Sequence, residues 1–414
     1  LIAPTMADPK SPRKSKPAKQ FTPEELEIRE LVALCKAGKL FDVQKWIADG
    51  RRINPPPFER KGQRPANPLT VTIDRGFHSL AEVLLKAGAE IDTDLWRGPM
   101  AKALQMRRFD LVQLLVEHGY DARSIDMSSV FHTWDPEIIE FFIDQGADVE
   151  TEWPLAEALR DKIRTGLRIF KRYQERFPHF QQQIDSALRH HCRDGNAKWV
   201  SLLLWAGADP YSLGDTSHED DGEEGLSALG FAALYERFDL FKIRSIRLKP
   251  DNPELQKVLK YAAEHAEGLP LARRLIKAGV NPNDQSNGGC SGIKSILQSM
   301  SWEFSFDTYG TFHNHRQGID GPRAREGIKG IHFLVKHGAR WHPEDRQEIK
   351  DARRSLVKLL PDYTVEFVWI MSRHNACTKE SITELVRTPR MKAHLTKHSR
   401  RVHELLAAWE EPSE

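Results

Sequence analysis

Pro68-Leu69-Thr70-Val71-Thr72-Ile73-Asp74-Arg75-Gly76, followed by Val83-Leu84-Leu85-Lys86-Ala87-Gly88-Ala89-Glu90-Ile91-Asp92, decides the fold of this chain. A proline opening a helix gives up no backbone donor that was in use. A glycine at a helix end adopts the left-handed conformation cheaply, so Gly88 stops the second helix and Ala89-Glu90 starts an extended turn. Leu80, Val83 and Leu84, and further on Leu111, Leu114 and Leu115, fall on one stripe at helical period. The stretch therefore predicts two antiparallel helices and a projecting loop, with an apolar face that needs a neighbouring unit.

The helix-stop signature recurs as Ile47-Ala48-Asp49-Gly50, Leu114-Leu115-Val116-Glu117-His118-Gly119, Phe142-Ile143-Asp144-Gln145-Gly146-Ala147-Asp148, Leu203-Leu204-Trp205-Ala206-Gly207-Ala208-Asp209, Leu275-Ile276-Lys277-Ala278-Gly279-Val280-Asn281 and Phe333-Leu334-Val335-Lys336-His337-Gly338-Ala339. Its glycines lie 38, 31, 27, 61, 72 and 59 residues apart, which predicts one missed copy in each of the three long intervals. The stretches 155–185 and 226–256 read as degenerate copies. Gly195 precedes Gly207 by the interval that separates Gly76 from Gly88, while Arg107 and Trp134 occupy the turn-glycine position in their copies. Self-similarity at this period signals a stacked solenoid.

These residues resemble the ankyrin repeat. Pro68-Leu69-Thr70-Val71-Thr72 stands where that family has Pro-Leu-His-x-Ala, Gly76 is at the turn glycine, and Val83 to Asp92 follow without insertion. The resemblance covers roughly residues 25 to 343, with a complete Thr-Pro-Leu-His nowhere present. It implies an all-α, ankyrin-type helix-pair solenoid that binds a protein partner without chemistry of its own, through its concave face and hairpin-loop tips. On that reading the contact candidates are Trp96 and Arg97, Glu152 and Trp153, Tyr211, and Asn283 with Asp284. Trp and Arg deliver the most binding energy per side chain. Trp341 sits at the packing position after its glycine and is expected to be buried.

At 414 residues, 40% apolar and 29% charged, the chain can bury a large core, and its net charge of +2 argues against a globally basic nucleic-acid binder. Cys35, Cys192, Cys290 and Cys377 are far apart and form no Cys-x-x-Cys pair, which fits a reducing, cytoplasmic setting (or a nuclear one, in a eukaryote). No apolar run is long enough for a membrane span. Leu1 to Thr5 precede Met6-Ala7-Asp8, which reads as a natural start, so the first five residues are left out of fold reasoning.

Residues 1–20 are expected to be a disordered basic tail, because 8–20 hold five cations against one acid and almost nothing apolar. Thr22-Pro23-Glu24-Glu25 then reads as a capped helix start for a repeat body over 21–343. Two inserts interrupt that body. Residues 214–224 carry six acids and no base, and read as a solvated loop without calcium-loop spacing. Residues 299–325 are rich in aromatics, His and Arg; alternating Trp302, Phe304 and Phe306 suggest a strand, and with Tyr309 and Phe312 they offer either a contact surface or a cover for neighbouring helices. Residues 344–414 are expected to form a helical cap, from a charged helix over 344–360, an apolar one over 365–372 and a third over 378–386. From Arg387 to His403 there are six Lys or Arg and no acid. Arg390, Lys392, Lys397, Arg400 and Arg401 therefore carry a secondary, nucleic-acid-associated reading.

Signs of chemistry are weak. Gly288-Gly289-Cys290-Ser291-Gly292 resembles a nucleophile elbow but follows loop composition instead of a strand. His313 and His315 lack a complete zinc ligand set, and His190-His191-Cys192 reads as structural. No cofactor, metal, catalytic residue or small-molecule substrate is expected.

Overall fold

The computed structural model describes residues 22–56, 66–94, 96–214, 225–283, 292–302, 322–343, 346–353, 356, 361–387 and 396–410. The fold is all-α. The two strands among the described residues, β1 (Leu213–Gly214) and β2 (Leu226–Ser227), pair antiparallel and bracket the acidic insert. The chain divides into two compact units, one reaching to Pro154 and the other starting at Leu155.

The first unit contains four consecutive helix pairs: α1 (Pro23–Lys36) with α2 (Leu40–Ala48), α3 (Pro68–Asp74) with α4 (His78–Lys86), α5 (Pro99–Gln105) with α6 (Phe109–Glu117), and α7 (Met127–Phe131) with α8 (Pro136–Asp144). The first helices α1, α3, α5 and α7 pack in sequence order in one layer, and the second helices α2, α4, α6 and α8 do the same in another. This is the stacking that the apolar stripe requires. Leu80, Leu84, Leu111, Leu114 and Leu115 are buried between layers, each contributing roughly 1.5–3 kcal/mol of transfer free energy. Val83 is half-buried at the edge of its stripe.

The second unit repeats the plan. Its pairs are α9 (Pro154–Arg160) with α10 (Thr165–Tyr173), and α11 (Phe180–Asp194) with α12 (Ala197–Ala206). α13 (Ala228–Leu234) follows with a 3-10 turn, Phe238–Lys242, in place of its second helix, and then α14 (Glu254–Glu264) with α15 (Leu269–Ala278). Thus the degenerate copies expected in 155–185 and 226–256 are real units. The third long interval is different: α16 (Gly292–Trp302) and α17 (Pro322–Lys336) form a single pair, and the extra length lies in the segments before and between them. Trp302 ends a helix, so the strand suggested by its alternation with Phe304 and Phe306 does not begin there.

Beyond Pro343 the helices form as α18 (Arg346–Arg353), α19 (Pro361–His374), α20 (Lys379–Val386) and α21 (Thr396–Ala408). They continue the two-layer pattern: α16, α18 and α20 pack in order, as do α17, α19 and α21.

Local chemistry sets the boundaries. Thr22 Oγ1 accepts from the Glu25 amide at 3.2 Å while the Thr22 amide donates to Glu25 Oε2 at 2.9 Å, a reciprocal cap. Six turns inside pairs share one backbone closure, with the amide of Lys39 on Leu34 O, Phe77 on Thr72 O, Arg108 on Ala103 O, Ile163 on Ala158 O, Asn196 on His191 O and Arg237 on Ala232 O, while the turn of α7 and α8 uses the Thr133 hydroxyl, which donates to Val130 O at 2.7 Å and accepts from Asp135 N at 3.2 Å. The six-to-one backbone bond needs one left-handed residue just before the donor. Gly38, Gly76 and Gly195 supply it, and so do Arg107, Lys162 and Glu236, at φ 52°, 66° and 61°. Trp134 holds the equivalent place at φ 61°.

Candidate partner-binding surface

The same closure ends the second helices, where Ala89 N meets Leu84 O, Ala147 N meets Phe142 O, Ala208 N meets Leu203 O and Ala339 N meets Leu334 O. The acid or amide two residues past the glycine then has a physical role. Asp121, Asp148, Asp209 and Asn281 accept the amide two residues on, at 3.0, 2.9, 3.0 and 3.0 Å, and turn the chain into its projecting loop. Asp148 also accepts from Thr151, whose side chain and amide hold its carboxyl below the usual carboxylate range.

Neighbouring hairpins are stitched by side-chain amides. Asn54 Nδ2 donates to Gly88 O at 3.0 Å and its Oδ1 accepts from Glu90 N at 2.9 Å. Asn283 makes the same pair of bonds to Gly338 O and Arg340 N, at 2.8 and 2.7 Å. Gln181 and Asp185 divide the task at Gly207 O and Asp209 N. Asn283 is therefore exposed and engaged in holding two hairpins together, a packing duty beside the contact role expected of it. Tyr211 leaves the set of contact residues. Only 8% exposed, its hydroxyl donates to Arg247 O at 2.7 Å and accepts from Lys249 N at 2.9 Å, a packing role that the loop-tip reading did not foresee.

Trp96 and Arg97 are presented outward. Asp94 Oδ1 accepts from both of their amides at 2.9 Å, Asp92 Oδ1 accepts from Asp94 N at 3.0 Å, and Gly98 N closes on Asp94 O at 2.9 Å. The loop folds so tightly that a Cβ at Gly98 would lie 2.5 Å from Asp92 O and 2.6 Å from Asp94 O. Trp96 is 76% exposed in this loop, and Arg97 is exposed beside it. In the last hairpin of the same unit Glu152 is exposed and Trp153 half-buried, on consecutive left-handed residues.

Asp284, Phe304, Tyr309, Phe312, Arg390 and Lys392 lie outside the described residues, as do Cys290, His313 and His315 and the side chains of Trp302 and Lys397. Arg400 and Arg401 are exposed on α21, with Arg401 Nη1 paired to Glu404 Oε2 at 3.1 Å. That helix is anchored by buried Trp409, whose indole donates to Asn375 Oδ1 at 2.9 Å.

The remaining titratable groups serve packing. Burial pushes the Cys192 thiol well above its ordinary range, which leaves it inert. His191 Nε2 pairs with Leu159 O at 3.0 Å and its ring stacks on Trp199. Trp341 is fully buried, as expected, and donates to Glu348 Oε1 at 3.0 Å. Among the described residues no group of three or more His, Cys, Asp or Glu side chains is placed to hold a metal ion, and no helix is long and apolar enough to cross a membrane.

Another exposed set escaped the sequence reading: Phe41, Phe77, Met106 and Trp134, all at turns inside helix pairs. Their signal is an apolar residue where a short surface turn should be polar.

No family model matches the sequence, and no curated protein matches it. Among solved structures the chain is similar to one described as the ankyrin repeat domain of Bcl-3, a unique member of the IkappaB protein family. The two are 16% identical with a TM-score of 0.35, over 56% of this chain and 94% of that one.

Proposed function

We propose that this protein is an ankyrin-type scaffold that binds another protein through its hairpin-loop tips and the exposed sides of its first helices, without catalysis. The reading rests chiefly on the loop from Ala89 to Gly98, which spends two aspartates and a glycine on holding Trp96 and Arg97 outward. A loop that served only to connect helices would gain nothing from a solvated tryptophan whose amide is tied to Asp94. Pre-organised aromatic and guanidinium groups lose little freedom on binding and are typical interface anchors. Glu152 and Trp153 flank the same surface in this proposal. A reducing compartment is consistent with Cys35 and Cys192, which are free and buried.

The test is capture from the native host with a photo-crosslinking amino acid at position 96, with and without nuclease. A nuclease-resistant protein adduct, diminished by Arg97→Glu, supports the reading. Adducts that vanish with nuclease, or that ignore the Arg97 change, refute it; the first outcome turns attention to the basic residues of α21.

A further inference from the structure

We propose a second docking edge on the first unit, at the opposite ends of the helices from the hairpins, which takes an acidic amphipathic helix. The turn between the helices of each pair exposes one large apolar side chain: Phe41 at 82%, Phe77 at 37%, Met106 at 38% and Trp134 at 49%. Two of these side chains reach the turn before their own. The Phe77 ring lies against the preceding turn, 3.0 Å from where a Cβ at Gly38 would stand, and Met106 Cε lies 3.3 Å from the corresponding point at Gly76. Phe109 and Phe141, behind the third and fourth turns, meet edge to face at 5.4 Å. The first three of these turns close by backbone bonds, without help from the apolar side chains.

Charge selects the occupant. At the first three turns the acids are engaged in ion pairs, Asp42 with Lys39 at 3.6 Å, Asp74 with Lys102 at 3.7 Å and Asp110 with Arg108 at 2.7 Å, while at the fourth Asp135 caps α8 and Glu137 is exposed. Lys36, Arg75 and Arg107 are exposed beside the apolar residues and have no ion-pair partner among the described residues. An anionic, partly apolar ligand complements the first three turns of the edge and a cationic one is repelled there.

Spacing selects its conformation. Stacked helices lie roughly 8–10 Å apart. A helical ligand advances about 10.5 Å over seven residues and returns to the same face, so apolar side chains at heptad spacing meet successive turns. An extended ligand covers about 10 Å in three residues, but every third side chain then points to the opposite face. The fit is to a helix of about 20 residues with acidic flanks.

The test uses the full-length protein and a labelled 22-residue peptide, with Leu at every seventh position flanked by Glu, followed by fluorescence anisotropy. Two controls accompany it, a scramble of the same composition and a version with Lys for Glu. Binding should be at least tenfold weaker for both controls, should weaken at least fivefold with Phe41→Ser or with Arg75→Glu plus Arg107→Glu, and should fall with added salt. Phe41 is so exposed that its replacement leaves the helices intact, which far-UV circular dichroism verifies. Trp96→Ala leaves peptide binding unchanged, so failure here is distinguishable from failure of the hairpin-tip reading. Equal affinity for the scramble, or indifference to both sets of variants, overturns the proposal. So does concentration-dependent self-association abolished by Phe41→Ser, or variant-sensitive binding to phosphatidylserine vesicles without peptide binding.

Discussion

Replacing Lys162 by glycine should stabilise the second unit. Lys162 sits at φ 66° between α9 and α10, where its amide donates to Leu159 O at 3.1 Å and the next amide, of Ile163, donates to Ala158 O at 2.9 Å. Its side chain is exposed and joins no ion pair among the described residues, so the strained backbone outweighs any side-chain contact in setting the effect of a replacement. A residue with a Cβ held left-handed costs about 1–2 kcal/mol. Glycine removes that cost but loses about 0.5–1 kcal/mol more chain entropy on folding. The net expectation is a gain of about 0.5–1 kcal/mol. Lys162→Ala is the control, since it deletes the side chain and keeps the strain. Urea unfolding followed by far-UV circular dichroism should therefore rank glycine above alanine, with alanine at or below the natural lysine. The converse change at Gly76, φ 73°, should destabilise, because a new Cβ would also meet Arg108 Nη1 at 3.0 Å. If Lys162→Gly is no more stable than Lys162→Ala, the degenerate stretch does not close as a repeat turn and the unit count of the second body is wrong.

Trp341→Phe removes the indole donor from Glu348, a buried carboxylate whose other oxygen faces Lys294 Nζ at 3.6 Å, and should cost roughly 2–3 kcal/mol in urea unfolding; a loss under about 0.5 kcal/mol would show that the bond is immaterial. Asn283→Ala frees Gly338 O and Arg340 N to solvent and should cost about 1 kcal/mol while hastening hydrogen exchange at Arg340; unchanged exchange there would discredit the stitch. Burial holds His191 below its ordinary pKa, so its folded value lies under its unfolded one. Above about pH 6.5 neither state is protonated and stability is full; as pH falls through that value the unfolded chain takes up a proton that the folded ring refuses, and stability declines. His191→Gln should flatten that decline between about pH 7.5 and 5.5, and an unaltered profile would assign the titration to other groups.

The pairing of helices was legible in the sequence wherever glycine marks both turns, as at Gly76 and Gly88. Arg107, Trp134, Lys162 and Glu236 obey the same left-handed geometry without a glycine, and only the first two could be placed, because their copies have regular spacing. The C-terminal helices were expected, but that they continue the two-layer pattern was hidden for the same reason. His374-Asn375-Ala376 repeats the stop signature with asparagine, φ 48°, in place of glycine, and Ala376 N closes on Met371 O as Ala339 N does on Leu334 O. Asparagine is the residue that best tolerates this conformation after glycine, so the signal was present but chemically disguised. Of the contact candidates, Trp96 was placed at a loop tip by the resemblance, and Asp94 before it accepts its amide. Tyr211 was misread because a loop position says nothing about which way a ring turns. Its burial depends on Arg247 and Lys249, more than thirty residues away in sequence.

The two ends of the helix pairs differ in how they satisfy their exposed backbone, and this difference governs where sequence is free to vary. At the hairpin end the closure uses side chains: Asp121, Asp148 and Asp209 cap their loops, while Asn54 and Asn283 bridge to the next glycine. Each of those residues is committed to folding, which leaves a narrow choice of positions, such as 96 and 97, for recognition. At the turn end the left-handed residue and a backbone amide suffice, so the side chains of Lys39, Phe77 and Arg108 do not cap the helices that they open. At Phe41, 82% exposed, folding would accept a polar residue at little cost, and solubility would favour one. A run of Phe41, Phe77, Met106 and Trp134 on successive turns is therefore the feature of the first unit that its fold does not explain, which is the physical ground for assigning that edge a ligand.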